Sequence, residues 1–294
     1  MSEPSIPERK TNGNPHIDIQ RQIRESLGLP PAPEAKPTIP VEGHVCEFPF
    51  WSFSKKLSTV RALDIRYEDG SFLKIDAPKG MPGPRFPGYL DVILFQGQHD
   101  MLREGEIQTR ISIYSILKAL GMDPNHSENY ARFRMDFERA FAMYLRTDRF
   151  RHHETGERSH VIWYRIFWTM YYAKKRNEES VFRFDDMFLL SLRNGYLKRL
   201  DYEFCLWLDR QQAALARFLY GHLLKRIGEK SLYPRNFLGF LRDCGLGHIA
   251  DMTPKRRNEQ VKETVFPALD LIKGHAIRSY ELDDRGNILF LPQE

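Results

Sequence analysis

Between Asn129 and Arg146 the chain sets Arg132, Arg139 and Arg146 seven residues apart, with Arg134 and Met135 beside them. At about 100° per residue these side chains fall opposite Tyr130, Phe133, Phe137, Ala140, Phe141 and Tyr144, so one helix face is apolar and the other cationic. Guanidinium groups in such a row pair with phosphate oxygens or with the acceptor edge of guanine. A second cluster, PKRRNEQ (Pro254 to Gln260), precedes Val261, Val265, Ala268, Leu269 and Ile272, again an apolar stripe at helical spacing. Here Arg256, Gln260 and Glu263 face outward, with Lys255 and Arg257 alongside. Thr253 is placed to cap this helix and Pro254 to occupy its first turn. The cluster lies where backbone N–H groups and the helix dipole also favour phosphate. Arg256 suits a guanine edge and Gln260 an adenine edge. Pro267 falls inside the same helix, and a kink after Phe266 is expected.

Catalytic chemistry finds less material. Tyr171 and Tyr172 stand three residues before Lys174 and Lys175, the spacing of a tyrosine nucleophile in rolling-circle nicking initiators. Such an enzyme needs a metal held by a His-hydrophobic-His strand, whereas His152 and His153 are adjacent and would point to opposite faces. No GxSxG, HExxH or metal-spaced carboxylate set occurs. The expectation is a protein that is not an enzyme and uses no cofactor or metal.

The elements that must position these residues occur twice in the same order. IYSILKALGM, NYARFRMDFERAFAMYL and RFRHHETGERSHVIWY give a short helix, a basic helix and a hairpin; FLGFLRDCGLG, PKRRNEQVKETVFPALDLI and AIRSYELDDRGNILFL repeat them. Gly121 matches Gly245, and Ala140-Phe141 match Ala268-Leu269 once a short insertion is allowed in one turn. YLDVILFQGQHDM and LDRQQAALARFLYGHLLKRI are the leading helices, and GEIQTRISI supplies a strand. This is how a winged helix-turn-helix is built, and two copies point to sequence-selective binding of double-stranded DNA. The first wing is placed at the hairpin turning on Glu154-Thr155-Gly156-Glu157, lined by Arg149, Arg151, His152, His153 and Arg158. The second turns at Asp283 to Asn287 and is acidic apart from Arg285. Lys174 and Lys175, after the first wing, add a phosphate patch.

The totals agree with that reading. The chain has 294 residues, 44 basic against 39 acidic side chains and a net charge of +5, which suits an anionic partner. Cys46, Cys205 and Cys244 form no CxxC pair and are expected in the core. No apolar run reaches membrane-spanning length, and the expected location is the cytoplasm, with no membrane partner. Residues 1 to 43, rich in proline and poor in aromatics, read as a disordered arm, with His16 to Leu29 able to form a short helix. Val45 to Ile75 reads as a β-rich entry with a hairpin at Glu68-Asp69-Gly70. KGMPGPRFPG lacks the N–H groups of a phosphate loop and reads as a rigid loop. The predicted fold class is therefore α+β, mainly helical. It has an arm (1–43), a first winged-helix domain with its N-terminal hairpin (44–178) and a second (179–294).

From Phe48 to Leu291 the chain resembles the plasmid replication initiators of the replication initiator protein A family. The resemblance rests on EFPFWSFSKK, GYLDVILF, LDRQQAALARFLYGHL and PALDLIKGHAIRSYEL in that order. It implies binding to direct repeats at an origin, opening of a neighbouring AT-rich segment and recruitment of the host initiator or replicative helicase. It also implies repression of its own gene by a homodimer. A double winged-helix transcription regulator would share every DNA contact and differ only in outcome.

Overall fold

The computed structural model describes residues 36–47, 62–67, 70–76, 86–101, 108–148, 162–173, 175, 177–193, 197–227 and 233–293. In chain order the elements are β1 (Thr38–Glu42), α1 (Gly43–Glu47), β2 (Ala62–Arg66), β3 (Phe72–Asp76), α2 (Phe86–Met101), β4 (Gln108–Ser112), α3 (Ile113–Ala119) and α4 (Ser127–Ala142). Then come β5 (Tyr144–Thr147), β6 (Ile162–Tyr164), β7 (Phe167–Tyr171), β8 (Glu179–Phe184), α5 (Asp186–Arg193), β9 (Leu197–Asp201), α6 (Tyr202–Arg210) and α7 (Ala214–Ile227). The last are β10 (Tyr233–Asn236), α8 (Phe237–Asp243), α9 (Gly247–Ala250), α10 (Pro254–Gln260), a π-helical turn (Val261–Val265), α11 (Phe266–Leu271), β11 (Ile277–Leu282) and β12 (Asn287–Pro292).

Two stretches repeat one topology. In the first, α2, β4, α3, α4, β7 and β8 follow one another and the sheet order is β4-β8-β7; in the second, α7, β10, α8, α10 with α11, β11 and β12 build a sheet of order β10-β12-β11. The strand registers coincide. Thr109 pairs with Phe182 as Tyr233 pairs with Phe290, Met170 faces Phe182 as Tyr280 faces Phe290, and both hairpins carry a bulge after their first pair. Local chemistry repeats too. Ser112 caps α3 by accepting from Ser115 N, and Asn236 caps α8 by accepting from Gly239 N. Each short helix then ends on a left-handed glycine, Gly121 (φ 70°) or Gly245 (φ 74°). Met122 N donates to Leu117 O and Leu246 N to Leu241 O, so the final carbonyls are satisfied by the same closing turn. The short insertion expected between the copies is α9, one extra helical turn after Gly245.

The core stripes of the long helices follow the sequence pattern: Phe133, Phe137 and Ala140 are buried in α4, and Val261, Val265 and Ala268 in the second unit. Tyr89, Phe133, Phe137, Phe167 and Phe182 form a continuous aromatic cluster between helix and sheet. Gly97 of α2 lies so close to Thr109 of β4 that a Cβ there would meet its hydroxyl, which brings helix against strand.

Several expectations are corrected. The hairpin read from Arg149 to Tyr164 does not match that of the second unit: its last strand, β6, pairs with β5 and with it joins β2 and β3 in a four-stranded antiparallel sheet, and the hairpin matching the second unit is β7–β8. The proline-rich arm does not reach residue 43, because Thr38–Glu42 pairs with β9 and buries Ile39 and Val41. Pro40 is tolerated there because, among the described residues, the strand pairs on one side with β9 alone. The stretch from Leu208 to Ile227 is two helices, broken where Gln212 takes φ 56°. At Pro267 the regular helix is interrupted: the widened turn Val261–Val265, closed by Phe266 N donating to Val261 O, precedes it, and α11 begins at Phe266. Residues 1–35, including His16 to Leu29, lie outside the described residues, as do the Glu154 to Glu157 turn and residues 79–85 of the KGMPGPRFPG loop. Cys46, Cys205 and Cys244 are buried, and burial pushes the Cys205 and Cys244 thiols up.

The two repeated units meet through their leading helices. Arg217 of α7 donates to both carboxylate oxygens of Asp91 on α2, at 2.7 and 2.6 Å, with both side chains buried. Phe95 stacks on Tyr202 with ring centroids 3.9 Å apart, and Arg210 donates to Ala119 O at 2.9 Å. Removing one partner of a buried pair strands the other charge. Asp91→Ala is therefore expected to lower unfolding stability by about 3–5 kcal/mol in a urea titration, with the double variant Asp91→Ala, Arg217→Met recovering part of the loss.

Candidate nucleic-acid interface

Helix α4 presents its cations as the period predicts, but part of each is already engaged. Arg132, 44% exposed, lies 3.8 Å from the buried Asp136 one turn on. Arg134 is exposed and its guanidinium carbon stands 6.0 Å from the Tyr172 ring centroid, which ties the helix to the end of β7. Arg139 is half-buried, and Met135 is an exposed apolar side chain between the arginines. Arg146 leaves this face altogether: α4 ends at Ala142 with Met143 extended, and Arg146 lies on β5 between Lys74 and Trp163 in the ladder. The predicted helix was too long because the apolar residues Tyr144 and Leu145 fit either period.

Lys175 sits in the β7–β8 turn, with its side chain 83% exposed and 3.1 Å from Glu178. It lies within the turn of the β7–β8 hairpin rather than behind a hairpin. Lys174, Arg151 and Arg158 fall outside the described residues. Beside this turn, Ser112, Tyr114, Ser115, Asn125 and Asn177 line an open polar groove between the start of α3, the α3–α4 turn and the hairpin turn. Ser115, Asn125 and Asn177 were not among the sequence-selected residues. The Ser-x-x-Ser cap and the Asp-Pro-Asn turn were the available signals, since both leave hydrogen-bonding groups at a helix-turn-helix corner.

Tyr172 packs against Phe133, and burial, reinforced by Glu138 and opposed by Arg134, pushes its phenol well above the usual range. It is held protonated, the wrong state for a nucleophile. Among the described residues no group of His, Cys, Asp and Glu could hold a metal ion, and no helix is long and apolar enough to cross a membrane.

In the second unit the four sequence-selected residues divide. Lys255 and Arg256 are exposed on the first turn of α10 and have no ion pair among the described residues. Arg257 turns inward and donates to Ala250 O at 3.2 Å, bracing α9 against α10. Gln260 is half-buried and donates to Glu263 Oε2 at 3.2 Å, so reading a base would require exchanging that bond. Lys262 is a further exposed cation one turn along. Pro254 occupies the first turn as expected, but Thr253 caps with its backbone conformation alone and makes no side-chain capping bond. The β11–β12 turn is built on Asp283, which accepts from the Asn287 side chain and backbone and from Arg285 N. These bonds hold its carboxyl below the usual range, so the turn keeps its negative charge.

The arrangement thus offers exposed cations on two helices, Arg132 and Arg134 among Glu128 and Glu138 on α4 and Lys255 and Arg256 at the start of α10, with Lys175 in one hairpin turn and Asp283 at the base of the other. It suits an anionic polymer better than a small substrate.

No protein-family model matches the chain, and no curated protein matches it. Among solved structures, the chain is similar to a selenomethionine derivative of domains 2 and 3 of RctB. The TM-score is 0.50 at 10% identity, covering 82% of this chain and 93% of that one. A second structure of RctB domains 2–3 gives a TM-score of 0.47 at 8% identity, covering 80% and 93%. The first of these likenesses shows a shared fold.

If the β7–β8 turn lies along a phosphate backbone, Lys175→Ala should weaken cognate and random duplexes by the same factor. It should also reduce the slope of log K against log salt by about one, read by fluorescence anisotropy across a salt series.

Proposed function

We propose that this chain is a DNA replication initiator that binds repeats in duplex DNA at an origin through two winged helix-turn-helix units. One observation carries the reading: helix, strand, helix, helix and hairpin occur twice with the same strand registers and the same glycine turn, and the long helix after that turn carries exposed cations each time, Arg132 and Arg134 on α4 and Lys255 and Arg256 on α10. A helix-turn-helix presents its second helix to the major groove and its hairpin to the backbone. In this reading α4 and α10 enter successive grooves, Arg256 contacts a guanine edge, and Lys255, Arg132, Arg134 and Lys175 hold phosphates. The fold shared with two domains of RctB supports a paired architecture. Origin opening, recruitment of a host initiator or helicase and self-repression as a dimer follow from the resemblance to plasmid initiators. The protein acts by binding, without catalysis.

The test is a footprint of the purified protein on its own upstream DNA. Protection of tandem direct repeats about one or two helical turns apart supports the initiator. A single inverted repeat at a promoter makes it a transcription regulator, and no protection removes the duplex reading. Arg256→Ala is expected to lose about 1–3 kcal/mol of discrimination between cognate and random duplex; an unchanged ratio takes α10 out of the reading role.

A further inference from the structure

The first unit carries, between the end of α4 and the start of β7, an insertion that the second unit lacks. Its strands β5 and β6 complete the sheet β2-β3-β5-β6. One face of that sheet is closed, with Ile65, Leu73, Ile75 and Leu145 buried. On the other, the ladders set Arg66 opposite Phe72, and Lys74 opposite Asp64 on one side and Arg146 on the other. Residues directly opposite in an antiparallel pair share a face, so Arg66, Phe72, Lys74 and Arg146 form one patch.

Arg66 and Arg146 are exposed, and Phe72 and Lys74 are partly so. The guanidinium carbons of Arg66 and Arg146 stand 5.3 and 5.8 Å from the Phe72 ring centroid. Two carboxylates lie nearby: Asp64, 3.8 Å from Arg66, and Asp148, which accepts from Phe72 N. Three cations, Arg66, Lys74 and Arg146, therefore border an aromatic ring on this face, with carboxylates at its edge.

A duplex backbone matches the cations but hides the faces of its bases. A strand with unstacked bases matches both, because bases stack on aromatic rings and on guanidinium planes while the phosphates meet the charges. We propose that this face of the four-stranded sheet is a binding site for single-stranded nucleic acid. Bases stack on Phe72 and its two arginines, and Lys74 joins them in holding the backbone. Because β5 continues directly from α4, the site lies beside the helix assigned to duplex DNA, yet it depends on none of the residues assigned to base reading.

The experiment titrates the full-length protein into fluorescein-labelled oligothymidylate and oligouridylate of equal length at low salt, followed by anisotropy. Binding of either supports the site, and the preferred sugar identifies DNA or RNA as its ligand. Phe72→Leu keeps an apolar side chain but removes the ring, and is expected to weaken binding about tenfold. The paired variant Arg66→Gln, Arg146→Gln does at least as much, and Lys74→Gln gives a smaller loss should the Phe72 variant fail to fold. All are expected to retain the wild-type footprint on duplex DNA. The proposal is overturned if wild-type protein binds neither oligomer, or if sheet variants that melt like wild type bind them unchanged. Loss of single-strand binding in Arg256→Ala with the sheet variants intact also overturns it, because the strand would then occupy the duplex-reading face.

Discussion

The buried pair between Asp91 and Arg217 is the contact on which the relation of the two units rests. Each residue lies on the leading helix of its unit, and neither reaches solvent. Burial alone pulls the Arg217 pKa down, but the facing carboxylate of Asp91 outweighs it, and the group ends with its pKa raised. The guanidinium therefore stays charged, and its planar fork meets both carboxylate oxygens, which fixes orientation as well as distance. An apolar contact at this place would permit sliding; a bidentate pair in a dry seam does not. What α2 carries inherits that geometry, including the strand clamped against Gly97, and the Ala119 carbonyl held by Arg210 of α6 is a second tie across the same seam.

On this seam the same supersecondary unit has been used twice and then modified in different places. The second copy gains α9 before its long helix, and Arg257 spans the gap by bonding Ala250 O. It also accommodates Pro267, whose missing N–H is absorbed by the π-helical turn just before it. The first copy keeps a regular α4 and instead opens its chain after Met143 to admit β5 and β6. Neither change disturbs the three-stranded sheets, whose registers remain the same, because the buried pairs around Phe182 and Phe290 tolerate no one-residue slip.

Charge is divided unequally between the copies. In the first unit the cations of α4 are partly turned to internal use, Arg132 toward Asp136 and Arg134 toward Tyr172, while the hairpin turn is basic. The second unit has its least engaged cations at the start of α10, and its hairpin turn is held negative around Asp283. A phosphate backbone would therefore meet a helix start in one unit and a turn in the other.

Much of this was legible in the residues taken one after another. Helical stripes through Phe133 and Val261, the paired glycines at 121 and 245, the order of elements and the site of the short insertion all follow from local periodicity and turn chemistry, which depend on neighbours in sequence. The wing of the first unit was not legible. Two hairpins follow α4, both with strand-like apolar runs, and nothing local says which will pair with β4. That choice is made by long-range packing, in which Phe182 meets Thr109 across the ladder while Leu145 meets Ile75 in a different sheet. The same packing moved Arg146 from a helix face to a sheet, turned Arg257 and Gln260 inward, and drew Thr38–Glu42 out of the predicted disordered arm to pair with β9. The sequence by itself thus determined the helical stripes, the glycine turns and the repeated order of elements. Only the tertiary structure decided which strands pair and which cations remain outside, because those outcomes depend on residues far apart in the chain competing for the same partners.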